Sequence, residues 1–196
     1  MSTGGALLIV FGVIGGILIL LVLIVAVIYN GLVRLRLQVQ NAWSQIDVQL
    51  KRRHDLIPNL VDTVKGYMSF EKETLERVVQ ARSAAVGAVG KGVANQAAVE
   101  GALTSALRGF YAVMENYPDL KSNQNVMQLQ EELTSTENKI AFSRQFYNDS
   151  VMRYNTSCQT MPTNIVAGAF GFKQSEFFEV EDKKEREVPK VDLSLK

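Results

Sequence analysis

The chain has 196 residues, which is enough for one domain and an anchor but short for several domains. Its 21 Lys and Arg and 20 Asp and Glu leave a formal charge of +1, which argues against proteins that hold nucleic acid on a strongly basic surface. The single cysteine, Cys158, excludes an intrachain disulfide and fits a reducing compartment.

The first predicted element is a transmembrane helix at residues 6–29, which are almost wholly aliphatic and uncharged. A helix of this length spans about 36 Å, enough for a hydrocarbon core of about 30 Å. A transmembrane helix is favoured over a signal peptide because no basic region precedes the run and no clear cleavage site follows it. We therefore predict a short tail at residues 1–5 and an interfacial aromatic side chain at Tyr29.

Two further features of this segment bear on the membrane. Nothing upstream of it is basic, whereas Arg34 and Arg36 follow it, so the positive-inside rule predicts an outside amino terminus and a cytoplasmic domain. Gly12 and Gly16 form a G-x-x-x-G pair, the spacing at which two transmembrane helices can approach closely.

Residues 30–158 are predicted to be an antiparallel four-helix bundle with two long and two short helices, so the fold class is all-α. Apolar positions at three-four spacing predict a first helix that continues from the anchor to about Met68. The second helix is expected after an N-cap at Ser69 and the third from about Asn95 to Tyr117, where Pro118 ends it. The fourth is predicted from Ser122 or Asn123 to about Ser157, and the glycine-rich residues 87–96 are predicted to form a loop.

Unequal helix lengths predict an exposed apolar surface on the membrane-proximal half of the two long helices. Such a surface usually needs a partner, and the anchor holds neighbouring copies in one plane, so we expect a homo-oligomer. The predicted interface residues are Leu35, Val39, Trp43, Ile46, Tyr147, Val151 and Tyr154. The alternative is that the C-terminal segment folds back and covers these residues.

That C-terminal segment, residues 159–180, is rich in aromatic side chains at Phe170, Phe172, Phe177 and Phe178. It is expected to pack on the bundle, with a neighbouring copy or lipid as the alternatives. Residues 181–196 mix charges of both signs around one proline and are predicted to be a flexible tail.

The stretch RRHDLIPNLVDTVKGY holds the only histidine, His54, and a proline, Pro58, within a helical pattern. Asp55 is the chain neighbour of His54 and points about 100° away around a helix, so it does not orient the ring as a catalytic acid would. One histidine and one cysteine make a zinc site improbable, and no nucleotide-binding or hydrolase motif is present. We predict no catalytic, metal or cofactor site, and a kinked continuous helix in preference to a helix restarting with Asp55 as its cap.

A structural network between the first and fourth helices is the alternative role for the charges near His54. Arg53 and Asn59 are predicted to meet Glu137 or Asn138, and Arg144 lies on the same face of the fourth helix as Glu137. Such an ion pair fixes the register of the helices more than it stabilises them. Glu137→Ala should then cost several kcal/mol if its partner is buried, and under about 1 kcal/mol if Glu137 faces water.

The chain resembles the LemA family of bacterial membrane proteins. The similar stretches are QVQNAWSQIDVQLKRRHDLIPNLVDTVKGY, then EKE and QARSAA, then YPDLKSNQNVMQLQEELTSTENKIAFSRQFYNDSVMRYN and MPTNIVAGAFGF. The resemblance implies an anchored helical bundle without enzymatic activity and supplies no ligand. It also makes the residues around Arg53, Asn59, Glu137 and Asn138 signature positions, which favours the structural network.

Three functions are compared. The leading hypothesis is a non-enzymatic, self-associating scaffold in the bacterial inner membrane that organises or shapes the bilayer, as the resemblance implies for some relatives. The second is an adaptor that binds another membrane protein, such as a protease. An enzyme centred on His54 is the third and weakest. The expected partners are therefore the lipid bilayer, further copies of the chain or another membrane protein, and no nucleic acid is expected.

Overall fold

The structure is a computed structural model that describes residues 3–68 and 70–179, most of which are helical. No strand occurs in these two ranges, so the all-α prediction is confirmed. The helices are α1 (Thr3–Val64), α2 (Lys72–Gly87), α3 (Val93–Met114), α4 (Pro118–Lys121), α5 (Gln124–Gln159) and α6 (Thr163–Ala169). The predicted cap at Ser69 and the predicted tail at residues 181–196 lie outside the described residues.

Helix α1 is continuous over 62 residues and passes through Pro58, as the unbroken phase of its apolar stripe predicts. Among the described residues it is the one helix that is long and apolar enough to cross a membrane, and its most apolar stretch is not buried by the rest of the chain. Gly12 and Gly16 are exposed in that stretch, and a Cβ added at either would meet nothing within 4 Å. Self-association through these two glycines stays a prediction.

Local chemistry explains where the other helices begin and end. The loop after α2 contains Gly90 and Gly92 with φ of 78° and 98°, a region that side chains other than glycine rarely adopt. Of the two predicted starts of α5, Ser122 and Asn123, the structure selects Asn123, whose Oδ1 accepts hydrogen bonds from the N–H groups of Asn125 (3.0 Å) and Val126 (3.4 Å). Helices α4 and α6 were not predicted, because one or two turns of helix carry too little periodicity to recognise.

The chain divides into two compact units, and α1 and α5 contribute residues to both. The terminal unit consists of the described residues up to Gln45 together with Gln145–Ser175. The central unit consists of Ile46–Arg144 together with the described residues from Glu176 onward.

The core of the central unit combines apolar side chains mainly from four helices. Its buried members are Ile57, Leu60 and Val64 of α1, Leu75, Val78 and Ala85 of α2, Leu103, Leu107, Phe110 and Met114 of α3, and Val126 and Leu133 of α5, with Leu120 of the short α4 and Met68 of the turn after α1. Their spacing within each helix is the three-four repeat of a helix face turned inward. Removing this apolar area from water supplies the main stabilisation of the unit.

In the terminal unit the C-terminal segment packs against α1. Leu32 of α1 is buried with Val166 and Ala167 of α6, and Phe172 packs on the same cluster. The chain beyond α6 is tied to α5: the hydroxyl of Tyr154 donates to the carbonyl oxygen of Lys173 at 2.9 Å. The folding back that the sequence left as an alternative therefore takes place.

Burial within the single chain corrects the expectation of an exposed apolar surface on the two long helices. Five of the seven residues proposed to form it are buried within the single chain: Val39, Ile46, Tyr147, Val151 and Tyr154. The other two, Leu35 and Trp43, are half-buried, and the ring of Trp43 contacts that of Tyr147 edge-on with centroids 5.4 Å apart. Another copy and the C-terminal segment were the two candidates to cover this surface, and helix lengths alone did not decide between them.

Candidate functional site

Arg53 of α1 occupies the interior of the central unit and is 1% exposed. Its guanidinium contacts two carboxylates from different helices: Nη2 pairs with Glu100 of α3, and Nη1 lies 2.5 Å from Oε2 of Glu137 of α5. Nη1 also donates to the Thr104 hydroxyl at 2.9 Å. A planar guanidinium with several fixed donors suits this task, and it joins three helices at one point.

His54 and Glu100 complete the cluster. Nε2 of His54 lies 2.8 Å from Oε1 of Glu100, and both side chains are buried. Burial alone raises the pKa of the Glu100 carboxyl, but the hydrogen bond with His54 and the charge of Arg53 outweigh it and hold the pKa below its ordinary value. Glu100 is therefore an ionised carboxylate inside the protein, which is sustained only by its partners.

Sequence reasoning missed Glu100, although a signal was present. On α3 it shares the inward face with Leu103, Leu107 and Phe110, at three-four spacing. A charged residue in phase with an apolar stripe predicts a buried charge that needs a partner of opposite sign. Arg53 occupies the same kind of position in α1, in phase with Ile57 and Leu60.

Arg82 of α2 satisfies the carbonyl group that Pro58 leaves without a donor. In an unbroken helix the carbonyl oxygen of His54 would accept from the N–H of residue 58, and proline has none. The Nε–H of Arg82 donates to this oxygen instead, at 2.9 Å. Helix α1 thus passes through Pro58 without an orphaned carbonyl, and α2 gains a fixed contact with α1.

We expect Arg82→Met and Pro58→Ala to be coupled. With Pro58 present, Arg82→Met should lower the free energy of unfolding by about 1–2 kcal/mol, because the His54 carbonyl loses its donor. In a Pro58→Ala background the N–H of the introduced alanine can reach that carbonyl, so the cost of Arg82→Met should fall by about 1 kcal/mol. Urea unfolding of the four variants in mild detergent, followed by circular dichroism, measures the coupling. Equal costs in both backgrounds would contradict the compensation.

Glu137 differs from Glu100 because its side chain is 43% exposed. It also approaches the Thr104 hydroxyl at 3.3 Å. Burial raises the pKa of nearby Tyr111 to about 12, assisted by the negative charge of Glu137 and opposed by Arg53. Tyr111 is therefore neutral at physiological pH, and its phenol is unsuited to act as a general base there.

The structure brings together some of the predicted network residues and separates others. Arg53 and Glu137 are in contact, whereas Asn59 and Asn138 are both exposed. Asn59 lies six residues beyond Arg53, which separates the two side chains by about 120° around the helix, so they lie on different faces. Asn138 is rotated about 100° from Glu137 for the same reason, and Arg144 is half-buried.

The chemistry of this cluster is that of a closed ion network. The buried carboxylate of Glu100 is engaged by a guanidinium and an imidazole. Arg53, His54 and Glu100 line neither the groove on α5 between Met127 and Phe142 nor the groove between α1 and α2. Within the described residues no three His, Cys, Asp or Glu side chains lie close enough to hold a metal ion. The arrangement fixes the relative register of α1, α3 and α5.

The depressed pKa of Glu100 predicts acid sensitivity. A carboxyl whose pKa is lower in the folded state than its ordinary 4.5 contributes stability above that value and loses it as pH falls toward the folded pKa. The urea concentration at the unfolding midpoint of the full chain should therefore decrease as the pH is lowered from about 5 to about 3. The decrease should be smaller in Glu100→Gln, which keeps the other acidic groups. An identical decrease in both proteins would show that other carboxyls cause the acid sensitivity.

A family model described as the LemA family matches residues 42–193. The chain belongs to the LemA family. This confirms the resemblance, and the match includes all the residues of the ion network, from Arg53 in α1 to Glu137 in α5.

Curated relatives agree with the LemA assignment. Protein LemA of Metamycoplasma hominis is 30% identical, over 70% of this chain and 63% of its own length. Magnetosome protein MamQ 2 of Paramagnetospirillum magneticum is 27% identical over 77% and 64%, and magnetosome protein MamQ of Magnetospirillum gryphiswaldense is 26% identical over 76% and 64%. The chain spans a little under two thirds of the length of these relatives. Together with the apolar part of α1, the comparisons indicate a membrane-associated helical protein.

Proposed function

We propose that the protein is a membrane-anchored, non-enzymatic scaffold whose copies self-associate and organise or shape the bacterial inner membrane. The observation that carries the proposal is the environment of the three side chains whose chemical groups are best suited to catalysis. Arg53, His54 and Glu100 are buried and paired with one another, so they hold helices together and do not face a substrate. Relatives that are named as magnetosome proteins support a role at a membrane-bounded structure.

The scaffold has two proposed parts. Residues 6–29 form the transmembrane helix, with the amino terminus outside and the rest of the chain in the cytoplasm. The exposed side chains of Arg34 and Arg36 just after the apolar run support this orientation. Helices α1, α2, α3 and α5 form an antiparallel four-helix bundle, which the core shared by these four helices supports.

The proposed self-association needs a different surface from the one that helix lengths predicted, because most of those residues are buried. One candidate is an open face of α5 that carries Met127, Thr134, Asn138 and Phe142, with Phe142 73% exposed. A mixed apolar and polar helix face of this kind is typical of reversible contacts between proteins. The Gly12 and Gly16 pair in the anchor is the other candidate.

Light scattering of the full chain in mild detergent, with the detergent mass subtracted, tests self-association. We expect a discrete assembly of several copies, and a monomer over a wide concentration range would overturn the scaffold. Gly12→Ile with Gly16→Ile should lower the mass if the anchors pack together, whereas Ile14→Phe with Leu18→Phe, which adds bulk at exposed positions on the opposite face of the helix, serves as the control. Phe142→Asp tests the α5 face, with Val48→Asp as an exposed control of similar kind on α1.

An adaptor for another membrane protein is the second proposed function, and one surface favours it. Phe70, in the turn between α1 and α2, is 93% exposed. Two residues before it, Met68 helps to line a groove of about 550 Å³ with Val61, Leu75 and Val79 between α1 and α2. Isolation of one stoichiometric partner that is lost in Phe70→Ser, from a chain that remains monomeric, would replace the scaffold by the adaptor.

A further inference from the structure

We infer that α6 and the residues beside it form a second, interfacial contact with the lipid bilayer, in addition to the transmembrane helix. The inference rests on the proposed anchor at residues 6–29. It begins from the sequence: residues 161–172 contain no charged side chain, and the first charge after them is Lys173. A stretch of this composition on a surface that faces only water would be unusual.

The structure separates the apolar side chains of this segment into two sets. Val166 and Ala167 are buried against Leu32 of α1. Met161, Ile165 and Phe170 are instead 78%, 63% and 57% exposed. The segment is thus apolar on both sides, and packing on α1 accounts for only one of them.

Contacts with α1 place the exposed set close to the end of the apolar run. The ring of Phe170 lies 5.0 Å from that of Tyr29, the last residue of the run, and the ring of Phe172 lies 5.6 Å from it. Leu32, the anchoring contact of α6, is three residues further along α1, or about 4.5 Å. If the run ends at the edge of the hydrocarbon, then α6 lies at the depth of the headgroups, where interfacial helices bury apolar side chains by about 5–10 Å.

The charges and aromatic rings around this segment fit a lipid surface in particular. Tyrosine at the end of an apolar run is typical of the membrane interface. The guanidinium of Arg36 lies over the ring of Phe172 at 5.3 Å, and Lys173 directly follows that residue. Cationic side chains just beyond an apolar surface attract anionic phospholipid headgroups. A lipid surface therefore matches both the exposed apolar set and its basic border.

Depth-dependent quenching in vesicles tests the inference. In a Cys158→Ala background, a single cysteine is introduced by Ile165→Cys and labelled with an environment-sensitive fluorophore. The full chain is then reconstituted into vesicles of phosphatidylcholine and phosphatidylglycerol that carry spin labels either near the headgroup or deep in the acyl chains. We expect strong quenching at position 165, greater for the shallow spin label than for the deep one.

Labels at two further positions distinguish a failure of the interfacial contact from a failure of the proposed anchor. Phe142→Cys, at an exposed aromatic position of α5, should be quenched several-fold less than position 165. Val22→Cys, at an exposed position within the apolar run, should be quenched most by the deep label. Quenching at 22 but not at 165 would overturn the interfacial contact and leave the anchor, whereas no quenching at 22 would overturn both. Disulfide cross-linking between chains at 165, without quenching there, would assign the surface to a second copy and also overturn the inference.

Discussion

Replacing Arg53 with methionine should lower the free energy of unfolding of the full chain by about 3–5 kcal/mol. The side chain of similar length keeps much of the packing, so the loss is mainly electrostatic. Glu100, which is 3% exposed, would be left buried with only His54 as a partner, and Glu137 would lose its contact at 2.5 Å. Urea unfolding in mild detergent, followed by circular dichroism, measures the change.

The neighbouring arginine supplies a matched control for this prediction. Arg52 also pairs with a glutamate, Glu132, at 3.4 Å, but the two side chains are 50% and 40% exposed. Arg52→Met should therefore cost under about 1 kcal/mol, because water replaces the lost partner. A similar loss in the free energy of unfolding for the two variants would show that the burial of Arg53 does not determine how much it contributes to stability. The double change Arg53→Met with Glu100→Leu should restore part of the loss, since no unpaired buried charge remains.

Glu100→Gln is expected to have the second largest effect, about 3 kcal/mol, because it removes the carboxylate that both Arg53 and His54 engage inside the protein. Glu137→Gln should cost about 1 kcal/mol or less. Its own side chain is 43% exposed, and Arg53 would still hold Glu100. The same unfolding measurement compares the two glutamates, and a larger effect of Glu137→Gln would contradict the assignment of Glu100 as the main counter-charge.

This comparison also corrects the sequence-based estimate for Glu137. That estimate offered two cases: a large cost if the partner is buried, and a small one if Glu137 faces water. The structure combines a buried partner with a partly exposed glutamate, because Arg53 has a second carboxylate within reach. The removal of one of two counter-charges leaves the guanidinium compensated, so the smaller cost is expected.

Much of the helical organisation was predictable because it depends on neighbours in sequence. The three-four spacing of Ile57, Leu60 and Val64 identifies an inward face without any knowledge of its partner. Asn123 marks a helix start because its side chain bonds to N–H groups two and three residues further on. The continuity of α1 through Pro58 was predictable too, since the phase of the stripe is kept across it.

The candidate site was predictable only in part. The contact of Arg53 with Glu137 followed from their positions on two helices that were expected to pack together. Asn59 and Asn138 were included because the family resemblance makes them signature positions, but both side chains are exposed. Glu100 was overlooked as a single acid in an apolar helix, and its role depends on which helix packs opposite Arg53.

The sequence by itself determined that the chain is helical, where its uncharged apolar segment lies and where α5 begins, because these properties arise from composition, periodicity and bonds between near neighbours. Only the tertiary structure decided that Glu100 pairs with Arg53, that Arg82 satisfies the His54 carbonyl, and that α6 packs on Leu32. Each of these contacts joins residues far apart in the chain. Burial and charge compensation depend on which distant segments meet, and no local pattern encodes that choice.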